Sequence, residues 1–339
     1  MSVVQRVDSY QQRHAWVGFP LAVVYKFADD QGSYLAALIA YYAFLSLFPL
    51  LLLLVTVLGY VLHGNPGLQR DLVGSAVSEF PIIGTQIANN VTSLHGSTLG
   101  LVVGIIGTIY GGLGVAQAGQ NAFNEVWSVP RNERPNPFRS RLRSLLLLLV
   151  LGSGALVTTT LSALGASSHS FGADLGTGLR VGAILLSVVV NIVLFEIGFR
   201  VGTAREIRTR DVLVGAVCAA LAWQGLQTLG TYYIAHKFKG ATEVYGLFGL
   251  VLGLVAWLYL EAVIIVICAQ INVVRARKLW PRALMTPFTD AVDLTEADER
   301  AYTSYAGAES YKGFEDVDVS FGEPPHRTPQ REATSEPDG

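Results

Sequence analysis

A single carboxylate interrupts a long apolar stretch near the end of the sequence. Glu261 lies inside GLVAWLYLEAVIIVICAQ, which runs from Gly253 to Gln270. Insertion scales put the cost of a charge at the centre of a membrane helix at about 2.5–3.5 kcal/mol. An acid avoids much of that cost by staying protonated, because loss of solvation disfavours its charged form. Glu261 is therefore the first candidate for a substrate or proton path. The structural alternative is a neutral strut that hydrogen-bonds two helices.

Amide side chains supply the other candidates for this path. An unpaired amide in hydrocarbon costs several kcal/mol, so each is expected to face protein or water. Gln224 falls at the depth of Glu261 and is predicted to face it, with Gln227 one turn further out. Asn272 shares the helix face of Glu261, since successive residues turn by 100°. Asn191 lies in another apolar stretch, where a bond between helices is the simpler interpretation.

The composition predicts that membrane helices position these side chains. The chain has 339 residues, of which 51% are hydrophobic and only 15% charged. Soluble proteins carry about 25% charged residues. Six apolar stretches reach the ~20 residues that a helix needs to cross a bilayer. We therefore expect an all-α, polytopic bundle of six transmembrane helices at about 35–62, 98–119, 143–165, 180–200, 211–235 and 245–273.

The distribution of basic residues predicts the orientation. With the N-terminus inside, the inner segments carry 16 Lys and Arg residues and the outer segments carry 4. Lys and Arg accumulate on the cytoplasmic side of membrane proteins. Both termini are therefore expected in the cytoplasm, and the protein in the bacterial cytoplasmic membrane.

Three regions follow from this topology. Residues 1–34 form a cytoplasmic segment that contains an interfacial amphipathic helix, and residues 35–282 form the membrane domain. Residues 283–339 hold 13 acidic and 4 basic residues and are expected to be a disordered cytoplasmic tail. The outer loop at 63–97 has helical apolar spacing and is expected to form amphipathic helices.

Several residues in the apolar stretches have simple structural interpretations. Pro49 predicts a kink in the first span, with a re-entrant helix used for gating as the alternative. Glu196 and Arg200 are spaced for an ion pair at the membrane interface. Glycines at four-residue spacing let helices approach closely, and they are predicted packing sites: Gly100, Gly104, Gly107, Gly111, Gly249 and Gly253.

Other kinds of chemistry have little support in the sequence. The histidines at 63, 95, 169 and 236 fall on or beside outer segments without metal-ligand spacing, so no metal or cofactor is expected. A nuclease needs clustered acids or histidines and a basic surface for nucleic acid. The acids here cluster in the tail, and topology accounts for the basic residues. Neither enzyme activity nor nucleic-acid binding is therefore expected.

Four segments, taken in order, resemble the YihY/BrkB family of bacterial membrane proteins. They are LAALIAYYAFLSLFPLLLLLVTVLGYVL, NAFNEVWSVPRNERPNPFRSRLRSLLLLL, RTRDVLVGAVCAALAW and VYGLFGLVLGLVAWLYLEAVIIVICAQINVV. The resemblance covers about residues 16–278 and implies an all-helical protein with about six spans. Family members have been labelled ribonuclease BN or virulence factor, and lipid or precursor transport has been suggested for relatives. The last helix of the family often reads Gly-Ala-Glu-Leu/Ile-Asn, and here Gln270 replaces that glutamate.

Together these features predict a transporter or flippase-like protein for a lipid or an amphipathic envelope solute. The alternative is a non-transporting membrane scaffold or envelope-integrity factor whose tail is a docking segment. The expected partners are membrane lipids and a lipid or envelope-precursor substrate. Assembly into a homo-oligomer is left open.

Overall fold

Long apolar helices make up most of the structure. The computed structural model describes residues 3–61, 98–166, 173–237, 241–289 and 292–322. Within these ranges the chain forms nine α-helices and a short 3-10 helix, Arg131–Glu133. The helices are α1 Val3–Arg13, α2 Ala15–Asp29, α3 Gly32–Val61, α4 Thr98–Val126, α5 Pro137–Ala166, α6 Ala173–Gly202, α7 Thr209–Lys237, α8 Ala241–Ala276 and α9 Glu296–Ala308.

The six longest helices, α3 to α8, coincide with the six apolar stretches of the sequence. Each contains between 29 and 36 residues. Within the described ranges, three windows are long and apolar enough to cross a membrane: Ile184–Gly202, Thr209–Gly230 and Val251–Ala276. No strand occurs in the part of the chain that the structure describes. The all-helical prediction is therefore confirmed.

Large apolar side chains cover the outside of the bundle. Leu149 on α5 and Phe248 on α8 are both 72% exposed, and Ile106 on α4 is 64% exposed. Soluble monomers rarely expose extended apolar surfaces, because water disfavours them. Contact with lipid removes that cost, and this surface fits a protein embedded in a membrane.

Helix α8 lies at the centre of the packing. It packs against α3 and α7 along its length and also contacts α2 and α4. Its buried side chains include Leu254, Leu258, Val266 and Val273. These side chains form one apolar core with residues from α2, α3, α4 and α7. The polar side chains that are buried on α8 are therefore surrounded by packed helices.

Glycines bring α3 and α4 into close contact. A Cβ atom at Gly107 would lie 2.6 Å from Cβ of Pro49, and one at Gly111 would lie 2.6 Å from Cα of Ser46. Helix α3 continues through Pro49 without interruption. The missing side chain at Gly107 thus leaves the space that the proline ring fills. Gly104 is buried, and Gly249 and Gly253 are half-buried.

The region expected to be a disordered tail contains an ordered helix, so that prediction is wrong for the described residues. Thr295 caps α9, its side chain accepting from the backbone N–H of Asp298. The Asp298 carboxylate accepts in return from the Thr295 backbone N–H at 3.0 Å. Ala297 and Ala301 bury one face of α9. Composition predicted disorder because it takes no account of this capping box or of the partners of Asp298.

The N-terminal region is helical as far as it is described. Helix α2 confirms the helix expected before the first span, and its placement at the membrane interface stays a prediction. The sequence analysis did not anticipate α1. The amphipathic helices expected at 63–97 lie outside the described residues, as do the histidines at 63, 95 and 169.

Candidate functional site

Glu261 is buried within α8, with 8% of its surface exposed. Its Oε1 atom accepts a hydrogen bond of 2.6 Å from the indole Nε1 of Trp257, one turn earlier on the same helix. The carboxyl group is thus oriented by its own helix. Glu261 is thus a buried acid inside the apolar window Val251–Ala276, and its part in a substrate or proton path stays a prediction.

Asn272 connects α8 to α7. Its Oδ1 atom accepts a bond of 2.6 Å from the backbone N–H of Gly215. The absence of a side chain at Gly215 allows this approach, because a Cβ atom there would meet the carbonyl oxygen of Cys268. Asn272 therefore stabilises the interface between the two helices directly.

The other amides are less buried. Gln224, Gln227 and Asn191 all have intermediate exposure. Gln224 lies nine residues after Gly215, which places it about 180° away around α7 from the face that meets α8. On helix geometry alone it lies away from this interface, and its depth relative to Glu261 stays a prediction. A contact between Gln224 and Glu261 stays a prediction.

The predicted ion pair at the end of α6 is present. Nη1 of Arg200 lies 3.3 Å from Oε1 of Glu196, one turn earlier on the helix. The same guanidinium donates to the backbone carbonyl of Ile207 and to the hydroxyl of Thr209. Arg200 therefore fastens the end of α6 to the segment that leads into α7.

A buried ion pair at the end of α2 is hydrogen-bonded to α8, and the sequence analysis did not identify it. Nζ of Lys26 lies 2.6 Å from both carboxylate oxygens of Asp30. Oδ2 of Asp30 also accepts a bond of 2.8 Å from the amide of Gln270. Lys26 and Gln270 are both fully buried. Gln270 occupies the position where the resembling family often has glutamate, and here it donates to a carboxylate.

A second ionic group lies beside the first, around Arg282. Its guanidinium donates to Asp298 of α9 and lies 3.3 Å from the carboxylate of Asp29. The hydroxyl of Tyr305, also on α9, donates to Asp29 at 3.1 Å. The ring of Tyr305 lies 4.6 Å from Nζ of Lys26. We call these residues, together with Lys26, Asp30 and Gln270, the ionic cluster. We call the end of the bundle that carries them the basal end.

Burial determines the proton equilibria of this cluster. Loss of solvation lowers the pKa of Lys26, and the charge of Asp30 opposes that effect. Burial raises the pKa of Asp30, against the attraction of Lys26 and the bond from Gln270. Burial also raises the pKa of Tyr305, which the nearby carboxylates Asp30 and Asp29 increase further. A buried pair of this kind needs both members, since either charge alone would lack compensation.

An arginine-lined cleft opens at the same end of the bundle, between the start of α5, the end of α6 and the connection to α7. Its volume is about 880 Å³. The basic residues that line it are Arg143, Arg200, Arg205 and Arg208. The sequence analysis used Arg143, Arg205 and Arg208 only as evidence of orientation, and it gave Arg200 only an ion pair with Glu196; it did not predict the cleft.

Metal chemistry finds no geometric support in the described ranges. No group of three or more His, Cys, Asp or Glu side chains is arranged there to hold an ion. The side-chain surroundings of His236 and Gly100 are outside the description.

These features define an all-helical membrane protein with a buried acid in its last long helix and an ionic cluster at its basal end. The sequence model of the family described as "Virulence factor BrkB" matches residues 23–287. The chain belongs to this family, as its resemblance to the YihY/BrkB proteins implied.

Individual relatives in other bacteria agree with this family. The chain is 26% identical to the ribonuclease-like protein YfkH of Bacillus subtilis over 76% of its own length and 94% of that protein. It is 24% identical to the inner membrane protein YhjD of Escherichia coli, over 76% of this chain and 81% of YhjD. A UPF0761 membrane protein of Pseudomonas aeruginosa is 24% identical, over 78% of this chain and 65% of that protein. No solved structure matches significantly. The relatives and the apolar helices place this protein in a membrane.

Proposed function

We propose that the chain crosses the cytoplasmic membrane six times, with both termini in the cytoplasm. The ionic cluster supports an even number of crossings, because Asp29 precedes α3 and Tyr305 follows α8, yet the two side chains are hydrogen-bonded. Three crossings would put them on opposite sides of the membrane. The described helices α3 to α8 supply six.

Within this topology we propose a transporter or flippase-like protein for a lipid or an amphipathic envelope solute. The observation that carries this proposal is the burial of Glu261 in an apolar membrane helix. Ionisable groups at such positions are costly, and they commonly mark substrate or proton paths. Asn272 continues the polar face of α8 toward the basal end. The proposal assigns no enzymatic step to the protein.

The test is transport by the purified protein in liposomes. Fluorescently labelled phosphatidylglycerol or phosphatidylethanolamine should move between leaflets in the presence of the protein. Glu261→Gln should slow this movement at least about tenfold, the loss expected when a proton-transferring group is removed. Glu299→Gln is the control, because Glu299 is an exposed acid on α9.

A non-transporting scaffold is the second candidate. The observation that favours it is the bond between Asn272 and Gly215, which gives a polar residue of the suspected path a purely structural contact. Here no lipid should move, and Glu261→Gln should change only the unfolding temperature. Phosphodiesterase activity that persisted through purification would contradict both candidates.

A further inference from the structure

The arginine cleft carries more positive charge than its surroundings neutralise. Four arginines line it, and Glu206 is the carboxylate among its lining residues. Two of the four have protein partners: Arg143 donates to the carbonyl of Thr203 at 3.2 Å, and Arg200 pairs with Glu196. Their guanidinium groups are thereby fixed at the wall of the cleft.

Arg205 and Arg208 provide the free charge. Both are exposed, and neither has an ion pair or a side-chain hydrogen bond with any residue in the described ranges. A further arginine, Arg277, directly follows α8 and lies close enough to Arg205 for the two positive charges to repel each other. Burial lowers the pKa of Arg277, and the positive charge of Arg205 lowers it further. Positive charges held this close together repel one another, and an anion bound between them relieves that repulsion.

The position of the cleft indicates where that anion comes from. The cleft lies at the end of the apolar window Ile184–Gly202, the level at which a membrane helix meets the lipid headgroups. Ile197 lines the cleft, and Val193, one turn deeper on α6, is 45% exposed. On α5, Leu146 lies one turn deeper than Arg143 and is 50% exposed. Apolar surface suited to an acyl chain therefore adjoins the charges.

We propose that this cleft binds the phosphate headgroup of an anionic membrane lipid, with Arg205 and Arg208 as the contacting residues. Guanidinium groups match the oxygens of a phosphate with two parallel hydrogen bonds. The volume of about 880 Å³ is sufficient for a headgroup. Arg143 adds a fixed positive charge at the wall of the cleft, because its hydrogen-bond partner is a carbonyl, whereas Glu196 balances the charge of Arg200. The site does not depend on transport, since a scaffold can bind the same lipid.

The experiment measures lipid binding by the full-length protein in neutral detergent, using native mass spectrometry. The probes are dioleoylphosphatidylglycerol, dioleoylphosphatidylcholine and inorganic phosphate. Two double variants each remove two positive charges. Arg205→Gln/Arg208→Gln changes the cleft, whereas Arg139→Gln/Arg141→Gln changes exposed arginines on α5 that do not line it. Unfolding midpoints establish that both variants are folded.

The wild type should prefer phosphatidylglycerol to phosphatidylcholine. The cleft variant should bind phosphatidylglycerol about 30-fold more weakly, since each arginine near a membrane surface contributes roughly a fivefold factor. The control variant should change binding by less than about threefold. An equal loss in both variants would show a general surface-charge effect and overturn the site. Displacement of the lipid by excess inorganic phosphate would overturn the lipid as its occupant and indicate a soluble anion instead.

Discussion

At the scale of single residues, the stability of the basal end depends on Lys26. This side chain is fully buried and pairs with Asp30 at 2.6 Å. Replacing one member of a buried pair leaves the other charge without compensation, which costs about 3–5 kcal/mol. We therefore expect Lys26→Met to lower the free energy of unfolding in detergent by about this amount.

Two further variants make this prediction specific. Lys278→Met removes an exposed lysine at the same end of the bundle and should have little effect. Lys26→Met combined with Asp30→Leu removes both charges and should recover much of the loss, because an apolar pair of similar volume often replaces an ion pair without penalty. If Lys26→Met were as stable as wild type, the pair would not hold α2 in place.

Tyr305 predicts a loss of stability at alkaline pH. Burial raises its pKa in the folded protein above the ordinary value of 10.0. The folded state therefore favours the neutral phenol more strongly than the unfolded state does. This contribution is fully present below about pH 10 and is lost progressively as the pH rises toward the folded pKa. The unfolding temperature of the wild type should therefore fall more steeply above about pH 10 than the unfolding temperature of Tyr305→Phe.

The comparison has a matched control. Tyr305→Phe also loses the hydrogen bond to Asp29, so it should begin slightly less stable at neutral pH, by about 0.5–1.5 kcal/mol. Tyr34→Phe removes a phenol that is 73% exposed and should retain the alkaline slope of the wild type. Equal slopes in all three proteins would contradict the role given to Tyr305.

At this scale the sequence predicted the buried acid Glu261 but not the ionic cluster. Glu261 could be identified because a carboxyl group inside a long apolar stretch of sequence is unusual in itself. The bond between Asp30 and Gln270 could not be, since it joins residues 240 positions apart. Lys26 and Asp30 also look like ordinary surface charges on a short helix. Only the packing of α2 against α8 makes them buried.

At the scale of helices, Gly215 determines how closely α7 approaches α8. A Cβ atom at this position would meet the Cys268 carbonyl and the Asn272 side chain. Backbone cannot move aside as a flexible side chain can, so Gly215→Ala should separate the helices. We expect a loss of about 1–3 kcal/mol in the free energy of unfolding. Gly225→Ala on the same helix meets no atom within 4 Å and should be neutral or gain up to about 1 kcal/mol from helix propensity. Similar losses in both variants would contradict this packing argument.

Helix existence was predictable, and helix docking was not. The stretch at 245–273 belongs to α8, which extends to Ala276, because an apolar run long enough to cross a membrane has few alternatives to helix. Helix α9 has no such signal, since its mean composition is polar. Its order depends on the pair between Arg282 and Asp298 and on its capping box. Those contacts require Arg282, which the predicted boundary at residue 282 places in the membrane domain and not in the tail.

At the scale of the whole molecule, the contact between the end of α2 and the segment that follows α8 bears on the proposed topology. Arg282, which follows α8, lies 3.3 Å from Asp29, which precedes α3. This contact supports the proposal that the chain returns to the side from which it entered, because an odd number of crossings would separate the two residues. In the proposed topology that side is the cytoplasm, since arginines gather at the basal end.

Labelling with a membrane-impermeant maleimide tests the topology. Val7→Cys and Phe314→Cys introduce thiols at positions that are 50% and 91% exposed. The first precedes the membrane domain in the sequence, and the second follows it. Both are placed in a variant in which Cys218 and Cys268 are replaced by alanine. We expect both thiols to react in inside-out vesicles and neither in intact spheroplasts, whereas His95→Cys should show the reverse.

An odd number of crossings would make Val7→Cys and Phe314→Cys react from opposite sides. Such a result would separate α2 from α9 and remove the basis for the ionic cluster, because no hydrogen bond between Asp29 and Tyr305 can form across a bilayer.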